Sequence, residues 1–443
     1  MSELLDPLFG RSALAPIFAD RGRLQGMLDF ESALAMAEAA CGIVPANAVA
    51  PIKAQCRAES FDIAALGREA ANTGNIAIPL VKHLTAKVRA GNEHAARYVH
   101  WGVTSQDVMD TGLVLQLRQA IAIMEPDLAR LAKALAILAD KHKATVMAGR
   151  TWLQQALPIT FGLKVAGWFD AVQRHQVRMA EIKPRLLMLQ FGGAAGTLAS
   201  LGANGLKVAT ALAHELKLGL PALPWHAERD RLVEFASWLG GLAGITGKIA
   251  RDVSLMMQSE IGEAFEAAGA GKGGSSTMPH KRNPVACASI LAAATRAPGL
   301  VATMLAAMPQ DHERGLGGWH AEWETLPDLT MTAGGALHLC VDLIEGLEVD
   351  AARMRHNLDA TNGLIMAEAL AMALAEKLGK AEAHHAVEAA CKRAVAEQRH
   401  LRAVVADDPA IAKHFDAKQL DQLFDPTRYT GVASLFIDRA LKR

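Results

Sequence analysis

Three polar, glycine-punctuated segments interrupt an alanine- and leucine-rich chain, and they hold the residues best suited to chemistry. The densest runs Gly274-Ser275-Ser276-Thr277-Met278-Pro279-His280-Lys281-Arg282-Asn283-Pro284. Its serines sit in a flexible glycine context that can close over a substrate. Lys281 and Asn283 offer a cation and an amide donor, and Pro284 ends the loop where a helix can start. A second segment, His100 to Thr111, carries Thr104, Ser105, Gln106 and Asp107, and a third, Gly149 to Pro158, carries Arg150, Gln154 and Gln155. Each places hydroxyls, amides or cations just before an expected helix, where free backbone N–H groups favour bound anions.

Two phosphate-site look-alikes lack their context. Gly269-x-Gly271-x-x-Gly274 has the spelling of a dinucleotide fingerprint but follows a helical pattern instead of a strand. Gly271-Lys272 is followed by Gly273, so it is no P-loop. The histidines carry no metal signal either: His214-Glu215 does not continue as HExxH, and His384-His385 falls on a polar helical stretch. No metal and no cofactor are expected.

The elements that must position these segments are helices. Aromatic residues are only 5% of the chain, which favours helix over sheet. Leu128, Leu131, Leu135 and Leu138 share one helical face, as do Phe161, Val165, Trp168 and Val172 beyond Pro158. From Asp230, the residues Leu232, Phe235, Leu239, Leu242, Ile245, Ile249, Val253 and Met256 step by three or four, the pattern of a long bundle helix. Gly240, Gly241, Gly244 and Gly247 each weaken it by up to about 1 kcal/mol relative to alanine, which close approach of neighbouring helices would explain. Further helical tracts are expected from Val285 to Met308 and from Leu329 to Leu358. The pattern predicts an all-α protein with an N-terminal helical domain over 1–110, a central long-helix bundle over 111–357 and a C-terminal helical domain over 358–443. Stripes this long can also serve neighbouring subunits.

Composition excludes several classes of function. With 46 basic against 46 acidic residues, the chain has no sign bias toward nucleic acid. Cys41, Cys56, Cys287, Cys340 and Cys391 are dispersed with no CxxC pair, which reads as reduced cytosolic thiols. Met1 to Pro7 lacks the pattern of a secretion signal, and no long apolar run is free of charge or glycine breaks. A cytoplasmic protein with no membrane partner is expected.

The loop from Gly274 to Pro284 resembles the signature GSSxMPxKxNP of the fumarase/aspartase superfamily. The segment from His100, read as HxGxTSxDxxDT, is similar to that of the adenylosuccinate lyase branch. The similarity extends over nearly the whole chain, including Asp425 to Arg439. It implies a three-domain all-α fold and a homotetramer with a twenty-helix core, whose active sites each draw on three subunits. It implies reversible elimination from a succinate-like unit, with Ser275 moving the proton on carbon, and Lys281, Asn283, Thr104 and Ser105 binding carboxylates. The physics agrees: loss of a proton next to a carboxylate builds charge there, and preorganised cations and N–H donors stabilise it. A serine needs activation by its surroundings to act as base.

Two departures narrow the chemistry. Lyases of this superfamily carry a histidine general acid in the Gly149–Pro158 segment and a partner glutamate seven residues beyond the loop lysine. Here those positions are Trp152 and Ala288. A departing amine has a conjugate-acid pKa near 10 and needs that acid, whereas a carboxylate, at about 4, leaves unaided. The resemblance therefore points to the branch that closes a lactone on a tricarboxylate, an isomerase of aromatic-acid catabolism. There Ser275 would protonate carbon, while Gln154 and His100 would orient the substrate. Trp152 would fill the space of the absent acid, or pack in a core. Adenylosuccinate or argininosuccinate cleavage with a displaced acid such as His100 is the competing reading, and a helical scaffold without catalysis is a third.

Overall fold

The structure, a computed structural model, describes residues 2–267, 273–274, 278 and 281–442. Helices dominate it. The elements used below are α1 (Asp20–Ala40), α2 (Ser105–Lys141), β1 (Val146–Thr151), β2 (Gln154–Thr160), α3 (Phe161–Leu186), α4 (Asp230–Met256), β3 (Ala264–Phe265), α5 (Val285–Ala307), α6 (Gly318–Glu345), β4 (Glu348–Val349), α7 (Ala367–Leu378) and α8 (Lys380–Ala396). The chain divides into two compact units, each assembled from three stretches: 1–129, 174–247 and 289–340 form one, and 130–173, 248–288 and 341–443 form the other.

In the first unit the periodic stripes become core. Leu24, Met27, Leu28, Phe30 and Leu34 of α1 are buried, as are Leu115, Leu117, Ile121 and Met124 of α2. The α4 stripe buries Leu232, Phe235, Leu239 and Leu242. Burial of each such side chain is worth about 1.5–3 kcal/mol. The α4 glycines have the expected cause at most positions. A Cβ on Gly240 would lie 2.7 Å from Val301, and one on Gly247 would lie 2.6 Å from Ala294, both on α5. Gly241 faces His175 at 3.2 Å, but Gly244 meets nothing within 4 Å, so crowding does not explain it.

The helix expected over Leu329–Leu358 begins earlier and ends sooner, as α6 from Gly318 to Glu345. Pro327 lies inside it and cannot donate to the carbonyl of Trp323. Arg23 of α1 donates to that carbonyl at 2.7 Å, so the freed acceptor is satisfied and the helix continues through the proline.

In the second unit a two-stranded antiparallel hairpin, β1–β2, precedes α3. Thr151 pairs with Gln154, so Trp152 and Leu153 form a two-residue turn with φ of 50° and 65°. Both positive angles belong to the turn type that matches strand twist. Without glycine or asparagine there, they cost about 1–2 kcal/mol per residue. The Thr160 hydroxyl then accepts from the Leu163 N–H and starts α3. Strands β3 and β4 pair antiparallel. Leu370 and Leu374 of α7 and Ala383, Val387 and Ala390 of α8 pack with Leu401, Val404 and Val405 in a separate C-terminal core.

Candidate functional site

In the first unit, α2 begins immediately after Thr104, and the buried Asp107 organises that helix start. Its Oδ2 accepts from the N–H groups of Thr104 at 3.1 Å and Gly193 at 2.9 Å. Its Oδ1 accepts from the Gly192 N–H at 2.9 Å and from His226 Nε2 at 2.7 Å. With its oxygens engaged, Asp107 serves as a clasp between the start of α2 and the 192–193 turn. It cannot also serve substrate.

The hydroxyls beside it face a cation. Arg314 donates to Thr104 Oγ1 at 2.8 Å, to Ser105 Oγ at 3.1 Å and, through Nε, to Gln106 Oε1 at 3.2 Å. Asn75 Nδ2 reaches Ser105 Oγ at 3.5 Å. A cleft of about 300 Å³ opens beside them, lined by Thr73, Gly74, Asn75, Gln106, Arg314 and His320 among others. A guanidinium, an amide and two hydroxyls at a helix N-terminus are groups chemically able to hold a carboxylate. The sequence pointed to Thr104 and Ser105 but not to Arg314. That arginine stands in the segment Gln310 to Arg314, which resembles the same superfamily branch, but its partners lie about 210 positions away in the chain.

A buried ionic layer holds the clamp. Gln106 Nε2 donates to Asp110 Oδ2 at 3.1 Å and to the His226 carbonyl at 2.9 Å. Asp110 accepts from Arg229 at 2.6 and 3.1 Å and from Trp319 Nε1 at 2.9 Å. Arg229, 1% exposed, also donates through Nε to both oxygens of Glu322, at 3.0 and 3.1 Å. Burial pushes the Glu322 carboxyl above its usual range against the pull of Arg229. One buried cation thus serves two buried carboxylates, an arrangement strongly destabilised by removal of the cation.

His100 closes this face. It adopts a φ of 59°, and its Nδ1 donates to Glu31 at 2.6 Å. Burial works against its charge, but Glu31 as charge and hydrogen-bond acceptor, with Asp107 behind, outweighs burial and raises the imidazole above its ordinary value.

In the second unit, the hairpin presents Gln154 exposed at the start of β2. Arg150 of β1 makes a two-point ion pair with the buried Glu263 at 2.7 and 2.8 Å. Glu263 also accepts from Asn357 Nδ2 at 2.9 Å, and Gln155 donates to the Asn357 carbonyl at 2.9 Å. The ion pair ties the hairpin to the residue just before β3.

The signature loop is anchored at both ends. The Asn283 N–H donates to the Gly273 carbonyl at 2.9 Å, and its side chain reaches the Gly274 carbonyl at 3.4 Å. Arg282 lies over the Phe265 ring, 4.9 Å from its centre, and donates to Glu348 at 3.0 Å. The Glu266 carboxylate accepts from the N–H groups of Ala286 and Cys287 at 3.1 and 2.9 Å and caps α5. Lys281 is exposed. Asn283 thus closes the loop as well as offering an amide. Ser275, with Ser276 and His280, lies outside the described residues.

Trp152, where lyases of the superfamily have their acid, is 96% exposed at the hairpin tip, so it packs in no core of the single chain. Ala288, the partner position, is exposed on α5. His100, Thr104 and Ser105 belong to the first unit and Gln154, Lys281 and Asn283 to the second.

Comparison with known proteins places this geometry. Residues 10–299 match a family model described as lyase, and residues 363–440 match one described as adenylosuccinate lyase C-terminus. The chain is 59% identical over 440 residues to a 3-carboxy-cis,cis-muconate cycloisomerase of Pseudomonas aeruginosa, covering 99% of this chain and 96% of that protein. A cycloisomerase of the same description from Bradyrhizobium diazoefficiens is 57% identical, covering 100% of this chain and 98% of its own. The crystal structure of the 3-carboxy-cis,cis-muconate lactonizing enzyme from Pseudomonas putida superposes with a TM-score of 0.95 at 56% identity, over 100% of this chain and 98% of the other.

Proposed function

The chain belongs to the lyase family of the fumarase/aspartase superfamily, and from that premise we propose that it closes 3-carboxy-cis,cis-muconate to 4-carboxymuconolactone in protocatechuate catabolism. It would act as an intramolecular lyase, hence an isomerase. One substrate carboxylate oxygen forms a C–O bond to a carbon of the conjugated system. The π pair moves to the adjacent carbon, next to another carboxylate, and that carbon takes a proton. No bond to a poor leaving group breaks in either direction, because in reverse the group expelled is a carboxylate.

The observation that carries this reading is an anion clamp without the lyase acid. Arg314 spans Thr104 and Ser105, while Trp152 and Ala288 stand where a histidine–glutamate dyad serves poor leaving groups. In the working site, Ser275 delivers the proton to carbon. Lys281, Asn283, Thr104, Ser105 and Arg314 hold carboxylates, and His100 and Gln154 orient the chain of the substrate. Trp152, displayed from a strained turn, supplies apolar bulk that keeps water from the lactone.

The active form is a cytoplasmic homotetramer whose sites take their three segments from different subunits. What supports this is α5. It is the one helix among the described residues long and apolar enough to cross a membrane, yet it carries Arg296 and Pro298 mid-helix, and only 28% of its most apolar stretch is buried in the single chain. A second copy of the bundle is the cover such a face needs. No disulfide joins the five cysteines, in keeping with a reducing compartment.

The test is turnover. Purified protein without added metal should bleach the conjugated diene of 3-carboxy-cis,cis-muconate, and Ser275→Ala should lose most of that rate while the oligomer persists. Unchanged turnover in Ser275→Ala would remove the proton-transfer role.

A further inference from the structure

We propose that Glu31, on α1, is the positioning residue that orients and charges His100, so that the two form a His–Glu dyad at chain positions other than those held by Trp152 and Ala288. This rests on the reading of His100 as a substrate-facing group.

Geometry carries the assignment. Glu31 is 2% exposed and lies 69 positions from His100, yet its Oε1 accepts from His100 Nδ1 at 2.6 Å. That bond fixes the tautomer and leaves Nε2 without a partner among the described residues. His100 also holds a φ of 59°, a conformation that a non-glycine residue keeps only where its surroundings over-determine it. A neutral asparagine or glutamine at position 100 would supply a hydrogen bond alone. An imidazolium paired with a buried carboxylate supplies a fixed positive Nε2–H donor, which suits a substrate bearing three carboxylates.

The groups around the pair are predominantly acidic. Asp107 faces His100 from the start of α2. Glu38, two turns along α1, faces Glu31, and its own carboxyl is 0% exposed with neither oxygen hydrogen-bonded. The Cys56 thiol lies within electrostatic reach of Glu31 and Asp29, and Asp29 within reach of Arg118. Glu38 is held neutral by burial and by Glu31, and the Cys56 thiol is likewise pushed up to about 12, so neither carries charge at neutral pH. Of these carboxylates, the one in hydrogen-bond contact with the imidazole is Glu31.

The experiment measures kcat/KM for 3-carboxy-cis,cis-muconate against pH in native enzyme, Glu31→Gln and Glu31→Asp. Loss of the carboxylate lowers the pH at which His100 gives up its proton. The alkaline limb of Glu31→Gln should therefore move to lower pH, with the loss relative to native growing from pH 6 to pH 8. Glu31→Asp, shorter but charged, should stay closer to native at pH 8 than Glu31→Gln. A purely packing role predicts the reverse order, because glutamine is isosteric. Superimposable profiles for native and Glu31→Gln, or the packing order, overturn the proposal.

Should Glu31→Gln fail to fold, native enzyme is compared with His100→Asn. The alkaline limb must lie above the ordinary imidazole value of about 6.5 and vanish in the variant; a limb at or below it overturns the proposal. If folded protein is inert toward the muconate at every pH, the functional reading has failed separately. The dyad is then tested with citrate by calorimetry, as a loss of affinity in Glu31→Gln that is larger at pH 8 than at pH 6; a loss of the same size at both pH values, or none, refutes it.

Discussion

Replacing Glu38 by glutamine should flatten the dependence of stability on pH. The Glu38 carboxyl is fully buried on α1 with both oxygens unpartnered, and burial, followed by the charge of Glu31, raises its pKa from 4.5 to about 9. Between those values the unfolded chain has released a proton that the folded chain retains. Stability is therefore highest below the unfolded value and falls as pH rises toward the folded one. Each pH unit across that window costs about 1.4 kcal/mol, which gives about 3 kcal/mol by pH 7. Glutamine cannot ionise and lacks the slope, although its buried amide keeps a constant penalty. The assay is denaturant unfolding of native and Glu38→Gln proteins at fixed concentration, at pH 5.5 and 7.5. Differences between the two proteins cancel the titration of all other groups. From the lower to the higher pH the variant should gain about 2.7 kcal/mol relative to native. A difference that stays constant within about 0.5 kcal/mol refutes the buried, neutral carboxyl.

Other perturbations test the clamp and its supports. Arg314→Lys keeps the charge but cannot span Thr104, Ser105 and Gln106 together. Loss of charge-assisted bonds worth about 1.5–3 kcal/mol each should lower the melting point, and steady-state kinetics should show KM at least about tenfold higher at a temperature where the variant stays folded. Arg229→Met leaves Asp110 and Glu322 buried without their cation and should cost about 3–5 kcal/mol, read as loss of soluble folded protein. Breaking the exposed Lys392–Glu388 pair should change stability by less than about 0.5 kcal/mol. Trp152→Asn relieves the positive φ at the hairpin tip and should raise the melting point slightly, while product analysis shows more hydrolysed lactone if the indole excludes water.

The legible parts of the molecule were those written in local spacing. The α4 stripe, the α5 tract and the signature loop each fall within about thirty residues, and a period of three to four reveals an amphipathic helix directly. The β1–β2 hairpin was not legible, because Trp152-Leu153 has none of the turn chemistry that marks such a bend. The start of α6 was hidden for a related reason. Pro327 reads as a boundary, and only Arg23, some 300 positions earlier, satisfies the carbonyl it frees. Arg314 and Glu31 could not be assigned from sequence because the contacts that single them out are with partners distant in the chain, Thr104 and His100. His384 and His385 are exposed, as their polar stretch suggested. A contiguous motif could be read from sequence; contacts assembled by the fold could not.

The most direct test offers one preparation two substrates. At equal concentration, 3-carboxy-cis,cis-muconate should be lactonised while adenylosuccinate is left intact, because the first needs only the clamp and a proton on carbon and the second needs an acid for its departing amine. Cleavage of adenylosuccinate with no turnover of the muconate would contradict a site built to dispense with the lyase acid.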